Sequence, residues 1–315
     1  MRWISRYLFC IFCSVSTVII LITWSFEKSS HNYASVLQKN SKIFSDITQS
    51  NGQQTTANLA PNYLRYLYPQ IWACQSANFE GKSGYYSQSR EDEALHKWIF
   101  NNTKENQNPG IFVELGAANG ITFSNTLFFE RMFDWRGVLF EAQPENAKLL
   151  LKADREKTVK LPVAICSALQ THIRMLGGPG FVAGNIDTMD ADFKEAWHKN
   201  DNKTVDVPCG PIGSYLTAIG ITHIDLFSLD VEGGELSVLL TMNWNIQVHY
   251  LLIENNSNTP NIIILLKSHG FRVQDFKPCS LGVTDCTNNT LFVNEDYQRP
   301  NFSTICIPNI YSNIN

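Results

Sequence analysis

The sequence lacks any run of lysines and arginines interleaved with aromatic residues, which is the pattern that neutralises phosphates and stacks on bases. Its 25 Lys and Arg residues are outnumbered by 29 Asp and Glu residues, which gives a formal net charge of -4 and an isoelectric point near 6.0. A nucleic-acid partner is therefore not expected. We expect a neutral or weakly charged substrate instead.

Outside one apolar segment near its start, the sequence also lacks a Cys-x-x-Cys pair, and it has no Cys and His cluster with zinc-ligand spacing. A structural zinc site is therefore not expected. Six cysteines follow the apolar segment: Cys74, Cys166, Cys209, Cys279, Cys286 and Cys306. Their even number is typical of disulfides in an oxidising compartment, with Cys279 and Cys286 as the nearest pair along the chain. Buried thiols are the alternative.

The apolar segment, residues 7–26, is uncharged and has about the length needed to cross a bilayer. We interpret it as a transmembrane signal-anchor helix. A cleaved signal peptide is the alternative, but the segment exceeds a usual signal-peptide core and no small-x-small cleavage site follows it. Because Arg2 and Arg6 precede it, the positive-inside rule places residues 1–6 in the cytoplasm and the remainder of the chain in the lumen.

Five Asn-x-Ser/Thr sequons agree with a lumenal location, at Asn101, Asn202, Asn255, Asn288 and Asn301. Residues 27–80 are predicted to be a lumenal stem, since the region after the anchor is rich in Ser, Asn, Gln and Thr. A catalytic domain over 81–295 and a C-terminal tail over 296–315 complete the predicted organisation. The sequence thus predicts a single-pass type II membrane protein of the Golgi or endoplasmic reticulum.

Within the domain, short apolar strands alternate with helices. Strands are predicted over 111–116, 137–142, 158–166, 224–230, 249–255, 271–276 and 290–294. Helices are predicted over 90–100, 124–133, 144–151 and 261–270, with another from about Gly234. Pro162 places the third strand near an edge or interrupts it, and 177–208 is read as an insertion. This alternation predicts an α/β, doubly wound and mostly parallel sheet with its ligand beyond the carboxyl ends of the strands.

The first strand ends with an acid and two glycines, Glu114, Gly116 and Gly120, and Glu141 closes the next strand 21 residues after Gly120. Glycines at such a turn let the backbone approach a ligand, and a carboxylate at this offset binds ribose hydroxyls in nucleotide-binding sheets. Solvated strand ends are the alternative interpretation. Because a G-x-G-x-x-G pattern is lacking, the ligand is expected to be a nucleoside without a diphosphate.

Three segments in order carry a family resemblance: SQSREDEALHKWIF, FVELGAANGITFSNTLFFERMFDWRGVLFEAQPEN and IDLFSLDVEGGELSVL. The chain resembles the FkbM family of S-adenosylmethionine-dependent methyltransferases, including its membrane-anchored animal branch of Star-like proteins. The resemblance covers about 210 of the 315 residues, from Tyr85 to about Asn294. It implies a seven-stranded, Rossmann-like class I methyltransferase fold.

The resemblance also implies a binding site for S-adenosylmethionine. The residues expected to form it are Gln88, Glu114, Gly116, Ala117, Gly120, Glu141, Ala164, Ile165 and Asp230. Among them Glu141 would bind the ribose hydroxyls, and Ala164 and Ile165 would pack against adenine. Glu91 and Asp92 would lie near this pocket, unless they only start a helix favourably.

The sequence Leu-Asp-Val-Glu-Gly-Gly-Glu-Leu supplies the catalytic candidates Asp230, Glu232 and Glu235. Methyl transfer to a hydroxyl needs alignment of the oxygen and a base or a metal to lower its proton affinity. A divalent cation such as Mg, held by Asp230, Glu254 and Asn255, is a further hypothesis that conflicts with the sequon at Asn255. His96, His223 and His249 are interpreted as structural; the last two lie at strand starts, the wrong end for the ligand. 

The expected function is O-methylation of a sugar hydroxyl on a glycan or glycoconjugate in the secretory pathway. The alternative from another class is a non-catalytic, Star-like cargo receptor or export factor that keeps the fold.

Overall fold

The computed structural model of the chain describes residues 84–100, 109–178, 180–201, 203–276 and 288–299. The predicted membrane anchor 7–26, the stem 27–80 and the Cys279 and Cys286 pair lie outside these residues, as do the sequons at Asn101, Asn202 and Asn301. No helix in the described ranges is both long and apolar enough to span a membrane.

The strands are β1 Ile111–Leu115, β2 Arg136–Phe140, β3 Thr158–Leu161, β4 Ala164–Ile165, β5 His172–Leu176, β6 Gly184–Asn185, β7 Thr204–Gly210, β8 His223–Leu229, β9 Gln247–Glu254, β10 Phe271–Gln274 and β11 Asn289–Asn294. The α-helices are α1 Glu91–Ala94, α2 Leu127–Phe133, α3 Pro144–Lys152, α4 Ala191–His198, α5 Ile212–Ile219, α6 Glu235–Leu239 and α7 Thr259–Ser268. A π-helical segment, Leu95–Phe100, continues α1.

The described residues form a seven-stranded sheet in the order β10-β11-β9-β8-β1-β2-β3. The pairs among β9, β8, β1, β2 and β3 are parallel, whereas β11 runs antiparallel to both of its neighbours. Every residue of β1, β2 and β8 is buried, as expected when helices cover both faces of a parallel sheet. The predicted doubly wound fold is confirmed. Its strand order reverses direction between β1 and β8, which is where such sheets bind ligands.

A second, smaller sheet has the order β4-β7-β5-β6. The third predicted strand is split after Leu161 because Pro162 offers no backbone N–H to the ladder. Its first part, β3, is the edge of the large sheet, and its second part, β4, pairs with β7 instead. The predicted insertion 177–208 supplies β6, α4 and most of β7. A disulfide joins Cys166 and Cys209 and so ties β4 to β7.

One helix starts later than predicted, and another starts at the predicted residue. The helix predicted from Ser124 begins at Leu127, since the Ser124 hydroxyl accepts the N–H groups of Thr126 and Leu127 at 3.3 and 3.1 Å and so closes a turn before the helix. Helix α3 begins at Pro144 as predicted, and the side chain of Gln143 caps it by accepting the N–H of Asn146.

Arg155 fixes the segment between β1 and α2. Its side chain is almost completely buried, and its guanidinium pairs with Glu130. The same guanidinium donates to the carbonyl of Gly120 at 2.8 Å and to the hydroxyls of Ser124 and Thr126 at 3.0 and 2.9 Å. Because a buried charge must be fully hydrogen-bonded, this network holds residues 120–126 in one conformation.

Candidate functional site

A cavity of about 820 Å³ opens at the carboxyl ends of the parallel strands. The loops after β1, β2, β8 and β9 form one side of it, and β4, β5, β6 and α4 form the other. Predicted site residues on its wall are Gln88, Glu114, Gly116, Ala117, Glu141, Ala164, Ile165, Asp230, Glu232 and Glu254, together with Glu91. The volume is within the range of about 300–1,000 Å³ of small-molecule sites.

Gly116 allows the ends of β1 and β8 to approach each other. Its φ angle is +77°, and a Cβ at this position would overlap the carbonyl oxygen of Asp230. The N–H of Asp230 donates to the carbonyl of Leu115 at 3.3 Å, which continues the pairing of the two strands. The glycine is thus required by backbone contact between two strand ends, a reason that the sequence alone does not show.

Gly120 has a packing role. Its φ is +76°, but a Cβ there would point at the Leu150 side chain, 2.6 Å from Cδ1. Gly120 therefore faces the core under α3 and is not part of the cavity wall. Its small size serves the packing of the loop against α3, and its contact with the cofactor stays a prediction.

Glu114 is buried and holds the loop that follows β1. Its carboxylate accepts hydrogen bonds from the hydroxyls of Ser124 and Thr126 at 2.8 and 2.5 Å and from the N–H of Asn125 at 2.9 Å. Asn125 in turn donates from Nδ2 to the hydroxyl of Ser228. The Asn125 Oδ1 atom is buried without a partner among the described residues, and Asn125 lines the cavity. This oxygen is available to a ligand N–H group.

Glu141 closes the same side of the cavity. Its Oε2 accepts the N–H of Ala118 at 2.7 Å, and its Oε1 accepts the N–H of Gln143 at 2.6 Å. Burial raises the pKa of Glu141 to about 7. Ala117, Ala164 and the half-buried Ile165 supply apolar wall nearby in the same cavity. The arrangement offers a carboxylate next to an apolar slot, as a nucleoside requires.

Three carboxylates meet across the ends of β8 and β9. One oxygen from each of Asp230, Glu232 and Glu254 lies within 4.8 Å of the others. Glu232 and Gly233 have φ angles of 59° and 104°, and this left-handed turn brings Glu232 beside the strand ends. Burial and the neighbouring carboxylates raise the pKa of Asp230 well above its usual range.

The pKa values of the other two carboxyls are also raised. Burial and the charges of Asp230 and Glu235 raise the pKa of Glu232 to about 9. Burial and the charge of Glu232 raise the pKa of Glu254 to about 7, although a hydrogen bond from Asp230 opposes the shift. Because the three carboxyls interact closely, the group as a whole keeps protons to higher pH than separate carboxyls would.

Glu235 is fully buried and lies behind the cavity wall, where it positions the neighbouring turn, and its catalytic role stays a prediction. Its Oε1 accepts the N–H groups of Val231 and Gly233 at 2.8 and 3.3 Å, and its Oε2 accepts from Asn256. Both carboxylate oxygens are thereby used to shape the turn that carries Glu232.

Sequence reasoning missed Asp190, which ties the insertion to this turn. The Asp190 carboxylate accepts the N–H of Ser257 at 3.1 Å, and its own N–H donates to the carbonyl of Glu232 at 3.4 Å. A Cβ on Gly233 would overlap the Asp190 nitrogen, so the second glycine of the motif is needed for this contact. Locally Asp190 is only the N-cap of α4, where it accepts the N–H of Asp192 at 3.0 Å, and its partners Ser257 and Glu232 are distant in sequence.

Asn255 does not join the carboxylates. Its Oδ1 accepts the hydroxyl of Thr290 at 2.6 Å, and its backbone pairs with Asn288. The cation site predicted from Asp230, Glu254 and Asn255 stays a prediction, and Asn255 is not among the residues of the cavity wall. The groups that the structure brings together are Asp230, Glu232 and Glu254.

Of the remaining acidic and amide candidates, two line the cavity and one does not. Gln88 and Glu91 reach the cavity, and Glu91 accepts from Asn289 at 2.9 Å. Asp92 is buried and accepts the N–H groups of Tyr86 and Ser87, which makes it an anchor of the preceding turn.

The histidines lie away from the cavity wall. His223 and His249 are in the first half of β8 and β9, at the opposite end from the cavity, and burial lowers the pKa of His249 to about 4. The His96 ring packs on Phe128 and Phe133 and its Nδ1 bonds the Tyr85 hydroxyl. 

The overlap at Gly116 yields a stability prediction. Gly116→Ala should lower the free energy of unfolding by about 3 kcal/mol or more, because the methyl group must displace the Asp230 carbonyl and the backbone is left-handed. Gly178→Ala is the matched control, since a Cβ there meets no atom within 4 Å. Urea unfolding of both variants measures the difference. Equal midpoints for Gly116→Ala and the unaltered protein would show that the strand ends do not make this contact.

Among solved structures, an FkbM methyltransferase from Methylobacillus flagellatus KT is similar, with 12% identity and a TM-score of 0.38 over 82% of this chain and 60% of that one. This chain thus spans less than two thirds of that protein. Aeropyrum pernix fibrillarin in complex with natively bound S-adenosyl-L-methionine has 14% identity and a TM-score of 0.34, over 71% of this chain and 86% of that one.

A precorrin-6y C5,15-methyltransferase from Geobacter metallireducens GS-15 has 10% identity and a TM-score of 0.33, over 71% of this chain and 96% of that one. No curated protein sequence matches significantly. The family model of the methyltransferase FkbM domain matches residues 114–273, just over half of the sequence and nearly all of the cavity-forming strands. The chain belongs to the methyltransferase FkbM domain family.

Proposed function

We propose that this protein is an S-adenosylmethionine-dependent O-methyltransferase that acts on a sugar hydroxyl of a glycan in the secretory pathway. The proposal rests on one cavity whose wall combines groups that suit a methyl donor with groups that hold or accept protons. Glu141 and Asn125 supply polar groups that suit a nucleoside-containing methyl donor, and Asp230, Glu232 and Glu254 supply groups that hold or accept protons. 

The polar and apolar groups of the cavity wall fit S-adenosylmethionine chemically. The unpartnered Asn125 Oδ1 suits an amine, Glu141 suits a pair of ribose hydroxyls, and the apolar Ala164 and Ile165 suit a flat base. The cavity wall contains carboxylates and no Lys, Arg or His among the described residues, which favours a positively charged sulfonium ligand. When bound, this cofactor supplies an electrophilic methyl group.

The protein's part in the reaction is to remove the proton of the attacking hydroxyl. Glu254 has a pKa of about 7, so its carboxylate is available as a general base near neutral pH. The side chain of Asp230 is hydrogen-bonded to Glu254, which orients that carboxylate. Glu232, with a pKa of about 9, remains a neutral acid that can donate to a sugar oxygen.

The test is methyl transfer from a labelled donor to a panel of glycans by the purified full-length protein. We expect product to form on glycans, with a rate that rises as the pH passes through about 7, because Glu254 loses its proton there. Glu254→Gln should lower kcat by about 100-fold or more and remove this rise. Glu145→Gln, an exposed residue of α3, is the control and should change neither.

Transfer to protein or lipid without transfer to any glycan would reassign the methyl acceptor. A complete lack of transfer, in protein that still binds S-adenosylhomocysteine, would favour the non-catalytic receptor instead.

A divalent cation is the second candidate occupant of the carboxylates. It is favoured by the spacing of Asp230, Glu232 and Glu254 and by the buried Oε2 of Glu232, which has no hydrogen-bond partner among the described residues. A cation such as Mg would lower the proton affinity of the hydroxyl in place of a base. The same transfer assay with a chelator separates the two: unchanged turnover excludes the cation, and turnover restored only by added Mg supports it.

The location in the secretory pathway rests on the apolar segment 7–26 and the sequons, and the disulfide between Cys166 and Cys209 fits an oxidising lumen. The animal, Star-like branch of the family is proposed on the same grounds.

Glycosylation tests this location. Asn288 is exposed, whereas Asn255 is half-buried with its Oδ1 bonded to Thr290. Protein made in animal cells should therefore carry a glycan at Asn288 and none at Asn255, as measured by glycopeptide mapping. An unmodified Asn288, in protein that protease degrades in intact microsomes, would contradict the lumenal location.

A further inference from the structure

Exposed apolar side chains concentrate around the mouth of the cavity. Among the described residues, ten large hydrophobic side chains are exposed, and four of them line this one cavity: Phe123, Phe181, Trp197 and Leu240. We name these four residues the rim. Trp197 and Leu240 are 62% and 67% exposed, which is costly without an occupant and marks a binding surface.

The rim is held in place by contacts across the cavity. Asn146 on α3 exchanges two hydrogen bonds with the backbone of Gly180, at 2.6 and 3.2 Å, and so fixes the segment that carries Phe181. The Phe181 ring lies 4.9 Å from that of Phe123, which adopts a left-handed φ of 63°. A bulky residue in this conformation is held there by its surroundings. The aromatic surface is therefore preorganised before a ligand arrives.

Trp197 lines the cavity from helix α4. It lies near the end of α4, whose last residue, His198, bonds the carbonyl of Val182 through Nε2. Helix α4 is capped at its start by Asp190, the residue that is tied to the turn carrying Glu232. The rim and the carboxylates that hold protons are thus joined through one short helix.

The charge of the cavity wall restricts which ligands can bind at the rim. Seven acidic residues line the cavity: Glu91, Glu114, Glu141, Asp187, Asp230, Glu232 and Glu254. Because no Lys, Arg or His in the described part of the chain joins them, a sulfate, phosphate or carboxylate would be desolvated there without a cationic partner. The same acids and the nearby amides are good partners for neutral hydroxyls.

We propose that the rim is the methyl-acceptor subsite and that it selects an uncharged, hydroxyl-bearing ring, a neutral pyranose, against sulfated, phosphorylated or carboxylated sugars. The apolar face of the ring packs on Phe181 and Trp197, and its hydroxyls face the carboxylates. This inference rests on the proposed function for its choice of substrate, and it adds the residues that recognise the sugar and the charge that excludes others.

The experiment uses the purified full-length protein on an array of neutral, sulfated and sialylated glycans. We expect binding to neutral glycans that does not weaken as the salt concentration rises, and no binding to their sulfated counterparts. Phe181→Ala and Trp197→Ala should each weaken the binding of the best neutral glycan by about three- to tenfold, and Phe181→Tyr should retain it. Ile264→Ala, an exposed apolar residue of α7 outside the cavity, is the control and should have no effect.

Each outcome is decisive for the subsite. Preference for sulfated glycans, binding only to amines or lipids, or unchanged affinity in both alanine variants would overturn it. Titration with S-adenosylhomocysteine in parallel separates this result from the proposed function. Normal titration with no glycan binding rejects the subsite alone, whereas glycan binding with no titration rejects the methyltransferase and leaves a glycan-binding surface.

Discussion

The contact between Gly116 and the carbonyl of Asp230 determines the geometry of the whole site. It sets the distance between the ends of β1 and β8, the two strands at which the sheet reverses its order. A side chain at Gly116 would separate them and open the sheet where the ligand must lie. The loop after β1, the turn after β8 and the cavity between them all depend on this close approach.

Around that contact, the acidic residues have two kinds of task. In the first group, the carboxylate accepts hydrogen bonds from backbone N–H groups and neighbouring side chains and thereby fixes a turn. Its members are Glu114, Glu235 and Asp92. Asp230, Glu232 and Glu254 are instead crowded against one another, so their pKa values rise. Crowding like charges is unfavourable unless protons or a cation relieve it, and the rigid turns keep the groups from moving apart. Acids bonded within the chain thus hold the three crowded carboxyls in place.

The sequence predicted the sheet well because its signals are local. Short apolar strands between amphipathic helices identify β1, β2, β8 and β9, and the ends of these strands locate the cavity. The sequence did not separate acids that line the cavity from acids that hydrogen-bond only to the chain. Glu235 and Glu232 are three residues apart in one motif, yet one is buried behind the wall and the other lines it. Gly120 and Asp190 show the same limit, since their partners Leu150 and Ser257 are brought near them only by the fold.

The central claim is that a nucleoside-containing methyl donor binds between the ends of β1 and β2. Calorimetric titration with S-adenosylhomocysteine tests it most directly. We expect one binding site per chain. In Glu141→Gln the affinity should fall about tenfold or more, because a charge-assisted hydrogen bond to the ribose is lost. In the control variant Glu145→Gln, which changes an exposed residue, the affinity should be unchanged. Equal affinity in Glu141→Gln, or no heat of binding in the folded, unaltered protein, would contradict it.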